Sequence, residues 1–139
     1  MTDSLSKSFA KVVLMALGFL LLFMGITTFI YPQVMTRYGL VTETLHARLT
    51  VSAIMGGSEM GLGLFMLLGN KVQASISVRL WTGISIFCGI AVARLISLLF
   101  ANDPIPGMFY RELVAETAII ILLFSALWVQ RKGGNRVSN

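Results

Sequence analysis

Residues 48–68 read RLTVSAIMGGSEMGLGLFMLL. At a rise of about 1.5 Å per residue the run is long enough to cross a hydrocarbon core of about 30 Å. It nevertheless carries Glu59 near its middle. An acidic side chain at that depth costs about 2.5–3.5 kcal/mol on insertion scales unless it is protonated or partnered. Glu59 therefore marks a functional site by default, and the rest of the chain is read as its surroundings.

Of 139 residues, 56% are hydrophobic and only 12% charged, with a mean hydropathy of +0.84. Soluble domains carry about twice that share of charge. The composition is that of an integral membrane protein with room for one domain, 1–139. The net charge of +5 then reflects positive flanks on apolar helices. A nucleic-acid surface is excluded, because no basic run is interleaved with aromatic residues. Cys88 is the single cysteine, so no disulfide forms within the chain.

Outward from the opening stretch, the chain falls into four apolar runs. Lys7 and Lys11 lead into VVLMALGFLLLFMGITTFI, residues 12–30. A cleavable signal has an apolar core of about 7–15 residues ending in small residues. This run is longer and ends in Phe29, Ile30, Tyr31 and Pro32, so it reads as a retained first span. Gly18 and Gly25 share one face of it and admit a neighbouring helix closely. Residues 33–47, QVMTRYGLVTETLHA, space Val34, Tyr38, Val41 and Leu45 as a helix does. They are expected to form a short interfacial helix or lid, broken near Gly39. The second span is placed at about 49–69, with a short turn at Gly69, Asn70 and Lys71. The third is placed at 78–100 and the fourth at about 109–129. The loop ANDPIPG separates the last two, and a polar tail, 130–139, closes the chain.

Four spans put both termini on one side. Lys7, Lys11, Lys71, Arg79, Arg131, Lys132 and Arg136 share that side, while Arg37, Arg48, Arg94 and Arg111 stand on the other with Glu43, Asp103 and Glu112. The positive-inside rule makes the terminal side cytoplasmic, with Trp81 and Trp128 at the inner interface. Tyr31, Tyr38, Phe109 and Tyr110 fall at the outer one.

Depth then gathers the buried charges. Glu59 lies roughly 15 Å, Arg94 roughly 9 Å and Glu116 roughly 10 Å from the outer ends of their spans. Three ionisable groups on three helices thus share the outer half. Turned inward, Arg94 is expected to reach both Glu59 and Glu116 with its forked guanidinium. Arg48, Ser52, Gly56, Glu59 and Gly63 step along one small or polar face of span two, while Gly57 and Gly61 form a small-xxx-small pair on another, a candidate dimer seam. Glu112 lies one turn from Glu116, close enough to the interface to pair with solvent or with Arg48 or Arg111. Glu59 and Glu116 against Arg94 leave one negative charge in excess. A proton, a second arginine or a cationic ligand would balance it. The cluster reads either as a buried network that fixes helix register, as a ligand or substrate pocket, or as a proton relay.

The remaining candidates are bland. His46, the only histidine, sits in the outer loop, so a bis-histidine haem is excluded and a solvated histidine is the better reading than a metal ligand. Cys88 has no base beside it and reads as a packing residue. Eight methionines are spread over the apolar runs, as core or lipid-facing packing. No catalytic set, phosphate loop, cofactor motif or zinc spacing is present.

Pro32 after span one, Tyr38-Gly39-Leu40 before span two, GGSEMGLGL at 56–64, ARLISLL at 93–99 and a Glu-bearing span four after an Asp-Pro loop form a combination. It resembles the DoxX/DoxD-like superfamily of small bacterial membrane proteins, one branch of which is known only as a domain of unknown function. The resemblance covers roughly residues 10–130 and implies that Glu59, Arg94 and Glu116 are the branch's characteristic polar positions. It also implies a bacterial inner-membrane location and, for some relatives, partnership in quinone-linked redox complexes. This chain lacks a CxxC pair, so intrinsic thiol chemistry is not expected of it.

The expected fold is an all-α, integral membrane four-helix bundle. The expected function leans away from an enzyme. It is binding of a small molecule or lipid in an outward-opening polar pocket by Glu59, Arg94, Glu116, Glu112 and Arg48, with the protein as an accessory subunit of a membrane complex. Two alternatives stay open: a proton-coupled small transporter acting as an oligomer, and a structural partner subunit. Partners are the lipid bilayer, a small-molecule or lipid ligand, and either a second copy through Gly57 and Gly61 or a larger membrane complex.

Overall fold

A computed structural model describes residues 2–38, 43–99 and 107–135. The described residues are helical apart from short connections: α1 (Thr2–Ile30), α2 (Leu45–Val51), α3 (Gly57–Leu68), α4 (Ile76–Leu99) and α5 (Gly107–Asn135). Four helical segments, Lys7–Ile30, Leu45–Val72, Ile76–Ile96 and Gly107–Lys132, are long and apolar enough to cross a membrane. Large apolar side chains on them are widely exposed, as Phe23 at 71% and Val114 at 69% show. In water such a surface would be an aggregation liability; against acyl chains it is ordinary.

The chain divides into two compact units, Leu14–Ala74 and Ser75–Asn139 with Met1–Val13. In the first, α1 ends at Ile30, one residue short of Pro32. Proline has no N–H and its fixed ring cannot continue the helix. The backbone tightens into a 3-10 helix at Pro32–Tyr38. The expected break at Gly39 lies outside the described residues. The second span begins earlier than expected, because Thr44 caps it. Its Oγ1 accepts from the Ala47 N–H at 3.1 Å, satisfying one of the orphan donors of a helix start. Residues 45–47, assigned to the interfacial segment by spacing, are thus the first turn of this span.

From Leu45 the helix runs through a π-turn at Ser52–Gly56 into α3, the Gly57 N–H reaching back to the Ser52 carbonyl. At Gly69–Val72 it tightens to 3-10, and Gln73, at φ 60°, turns the chain in the left-handed region. The glycines expected to admit a neighbour do so. A Cβ on Gly18 would meet the Gly63 carbonyl at 3.1 Å, and one on Gly63 the Leu22 nitrogen at 2.7 Å. A Cβ on Gly25 would meet the Gly56 carbonyl at 2.8 Å, and one on Gly56 the Phe29 nitrogen at 2.8 Å. Backbone lies on backbone along this antiparallel α1–α3 seam, the close approach that small residues permit between apolar helices.

The other unit is built on α4 against α5. Ser77 donates to Gln130 at 3.2 Å near one end, the Trp81 and Phe124 rings meet edge-to-face at 6.0 Å, and Arg94 meets Glu112 near the other end, so the helices are antiparallel. Leu80, Ile84, Phe87 and Ala91 on α4, and Leu123, Ala126 and Leu127 on α5, are buried. Steps of three and four make each set one stripe. The loop expected at 101–107 is described only from Gly107, the first residue of α5. At its far end α5 runs to Asn135, so the first residues of the expected polar tail are helix. Gln, Arg and Lys at 130–132 are good helix formers, and cations suit the last turns of a helix dipole.

Candidate functional site

The buried polar geometry of the second unit centres on Arg94. Its Nη1 lies 2.7 Å from Glu112 Oε2 and its Nε donates to Glu116 Oε1 at 2.7 Å. Glu112 and Glu116 stand four residues apart on α5, the spacing that puts two side chains on one helix face. One planar guanidinium can therefore take both at charge-assisted hydrogen-bond length. Phe109, one turn before Glu112 on the same face, sets its ring 5.5 Å from Arg94 Cζ. Glu116 is 9% exposed.

The carboxylates are not fully used. Glu112 Oε1 and Glu116 Oε2 are buried without a hydrogen-bond partner. With one guanidinium against two carboxylates, the triad carries one formal negative charge in excess. A buried acceptor left unmatched costs about 1–3 kcal/mol, more when charged. The triad is therefore complete as a clamp on Arg94 and open as an acceptor of further donors.

The expectations for these residues differ from the structure in how the groups pair. Glu112 was expected to face solvent or pair with Arg48 or Arg111; it pairs with Arg94, together with Glu116. Depth from the helix ends undervalued it, because an Arg side chain on α4 reaches up α5 by a full turn. Glu59 belongs to the other unit, where it accepts from Thr28 Oγ1 at 3.3 Å. Thr28 is 2% exposed; the threonine pair 27–28 in an otherwise apolar stretch was the signal for it. Arg48 donates from Nη2 to the Glu43 carbonyl at 3.3 Å, and its Nε is buried without a partner. The π-turn separates Arg48 from α3 and breaks the even spacing on which it had been aligned with Glu59. Phe109 was placed only as an interfacial aromatic; its position three residues before Glu112 was the signal for its place under Arg94.

Among the described residues no three of His, Cys, Asp and Glu gather as a metal site requires. His46 is exposed and Cys88 is a half-buried free thiol. The arrangement at Arg94 can bind, orient and exchange a proton or a donor group.

No curated protein and no solved structure matches the chain. A family model described as Domain of unknown function (DUF4345) matches residues 9–127. The matched segment takes in the glycine seam, Arg48, Glu59 and the whole Arg94–Glu112–Glu116 triad, and the chain belongs to that family.

Proposed function

We propose that this protein binds a small molecule or lipid through the Arg94–Glu112–Glu116 triad, as an accessory subunit of a complex in the bacterial inner membrane. The observation that carries this reading is the pair of buried carboxylate oxygens, Glu112 Oε1 and Glu116 Oε2, with no donor. A headgroup that supplies donors, a hydroxyl or an ammonium, would satisfy them, and an ammonium would also balance the excess charge. Arg94 would hold the two carboxylates in register, and Phe109 would wall the guanidinium from lipid. Glu59 and Arg48, in the other unit, are the further polar groups of this reading, and Arg48 Nε is buried without a partner. The charge distribution supports an orientation with both termini in the cytoplasm and the triad in the outer half of the bilayer. The helix count, the spacing of the glycines and the place of the acidic residues support kinship with the DoxX/DoxD-like superfamily, and the segment before Leu45 is read as interfacial.

Native mass spectrometry in mild detergent tests this, wild type beside Glu116→Gln and Glu59→Gln. The expected result is a bound species of defined mass on the wild type that is lost in folded Glu116→Gln. A wild type that flies empty from native membranes, or an adduct indifferent to Glu116→Gln, would overturn binding at the triad. Uptake that collapses with the proton gradient and with Glu59→Gln would replace the proposal with proton-coupled transport by an oligomer.

A further inference from the structure

The end of the α4–α5 pair remote from the triad carries a second polar constellation, of opposite sign. Arg131 sets its guanidinium 5.7 Å from the Trp81 ring, and the Lys132 ammonium stands 3.8 Å from the Trp128 ring. α4 and α5 carry no acidic residue besides Glu112 and Glu116, which both sit on Arg94; the other acids of this unit are Asp3 and Asp103. From Glu116 to Arg131 is fifteen residues of α5, about 22 Å. A tryptophan face attracts a cation without neutralising it. The charged heads of both side chains are thus held over indole rings with hydrogen-bond donors left to offer.

We infer that this end of α4 and α5 is a binding site for the phosphate of an anionic phospholipid, with Arg131 and Lys132 as its donors and Trp81 and Trp128 as its platform. Two observations select a lipid over a soluble anion. Trp81 and Trp128 are 41% and 59% exposed, as indoles at the headgroup level of a bilayer are. The same helices expose Ile86, Ile121 and Leu122 just inside that level, which gives acyl chains a surface to lie along. A basic constellation between the ends of two spanning helices is a recognised form of headgroup site.

The site is separate from the triad, so its test stands or falls independently. The purified full-length protein in mild detergent is titrated with phosphatidylglycerol or phosphatidylcholine and its adducts are counted by native mass spectrometry. The expected wild-type preference is for phosphatidylglycerol. Each basic residue near an anionic surface contributes about a fivefold factor, so Arg131→Gln with Lys132→Gln should lower that preference roughly 25-fold. Arg111→Gln, an equal charge change per site at the far end of α5, should leave it within about twofold, and melts without lipid show that every variant is folded. Equal wild-type binding of the two lipids, an undiminished preference in the double variant, or an equal loss in Arg111→Gln would overturn the inference. So would displacement of the bound lipid by millimolar inorganic phosphate.

Discussion

Replacing Arg94 by leucine should destabilise the α4–α5 unit more than removing the whole triad. The substitution takes away both 2.7 Å charge-assisted contacts at once and leaves two carboxylates one turn apart. The formal charge of the site goes from one negative to two. Breaking a buried pair by deleting one partner costs about 3–5 kcal/mol. The Arg94 side chain is 27% exposed, so the lower end applies, about 3 kcal/mol. For a chain of this length, at about 3 °C per kcal/mol, the melting point should fall by roughly 10 °C. Changing Glu112 and Glu116 to glutamine in the same background removes the stranded charges and should recover most of that loss, although the variant restores none of the ionic contacts. Trp81 packs on Phe124 within the same unit, so intrinsic fluorescence on heating in detergent reads the relevant melt. Arg94→Lys, with a point charge that cannot fork, should fall between. A single variant that melts with the wild type, or a triple variant no more stable than the single, would refute the charge argument.

Gly63→Leu and Gly25→Val should each force α1 and α3 apart, since even a Cβ would lie 2.7 Å from the Leu22 nitrogen or 2.6 Å from the Met60 nitrogen; a melting point lowered by several degrees in detergent checks this. Gly57→Ala and Gly61→Ala meet nothing within 4 Å and should leave the melt unchanged, so a shift from dimer to monomer in that pair, read by light scattering, would show them to be a subunit seam. Deleting Ala53, an exposed residue inside the π-turn, should convert the i→i+5 turn to an ordinary α-turn with both flanks keeping their faces; hydrogen exchange at Gly57 and a near-native melt are the expected signs, and global unfolding would show that the turn does not hold a surplus residue.

The architecture was legible because lipid imposes one rule on the backbone: every apolar run of the required length must be helical. Glycine spacing carried the next level. Gly18 and Gly25, and the stripe of Gly56 and Gly63, were visible as small faces, and the structure lays one on the other. What spacing could not carry was side-chain reach. Arg94, Glu112 and Glu116 were each found as charges out of place, yet their pairing depends on a guanidinium several ångströms long choosing between carboxylates at similar depth. The π-turn was illegible for a different reason. SAIMG at 52–56 carries no sequence mark of a wide turn, and what the structure adds is that Gly56, its last residue, lies against the α1 backbone. Thr44 as a cap was legible in kind but was overridden by an apolar pattern that ran through it.

Stability alone does not account for the triad. A buried ion pair replaced by apolar side chains of similar volume is commonly neutral or more stable by about 1–4 kcal/mol, since the charges need not be desolvated. Leucine at 94, 112 and 116 would continue the apolar stripes that Ala91 and Leu123 already make. The chain instead keeps one cation and two anions there, satisfies half of each carboxylate and leaves the other half buried. A network serving only helix register would do that work best when fully satisfied, because each idle oxygen weakens it. The idle oxygens are thus the part of the site that register does not explain. A variant with leucine at all three positions separates the two roles: it should melt at or above the wild-type temperature and carry no ligand.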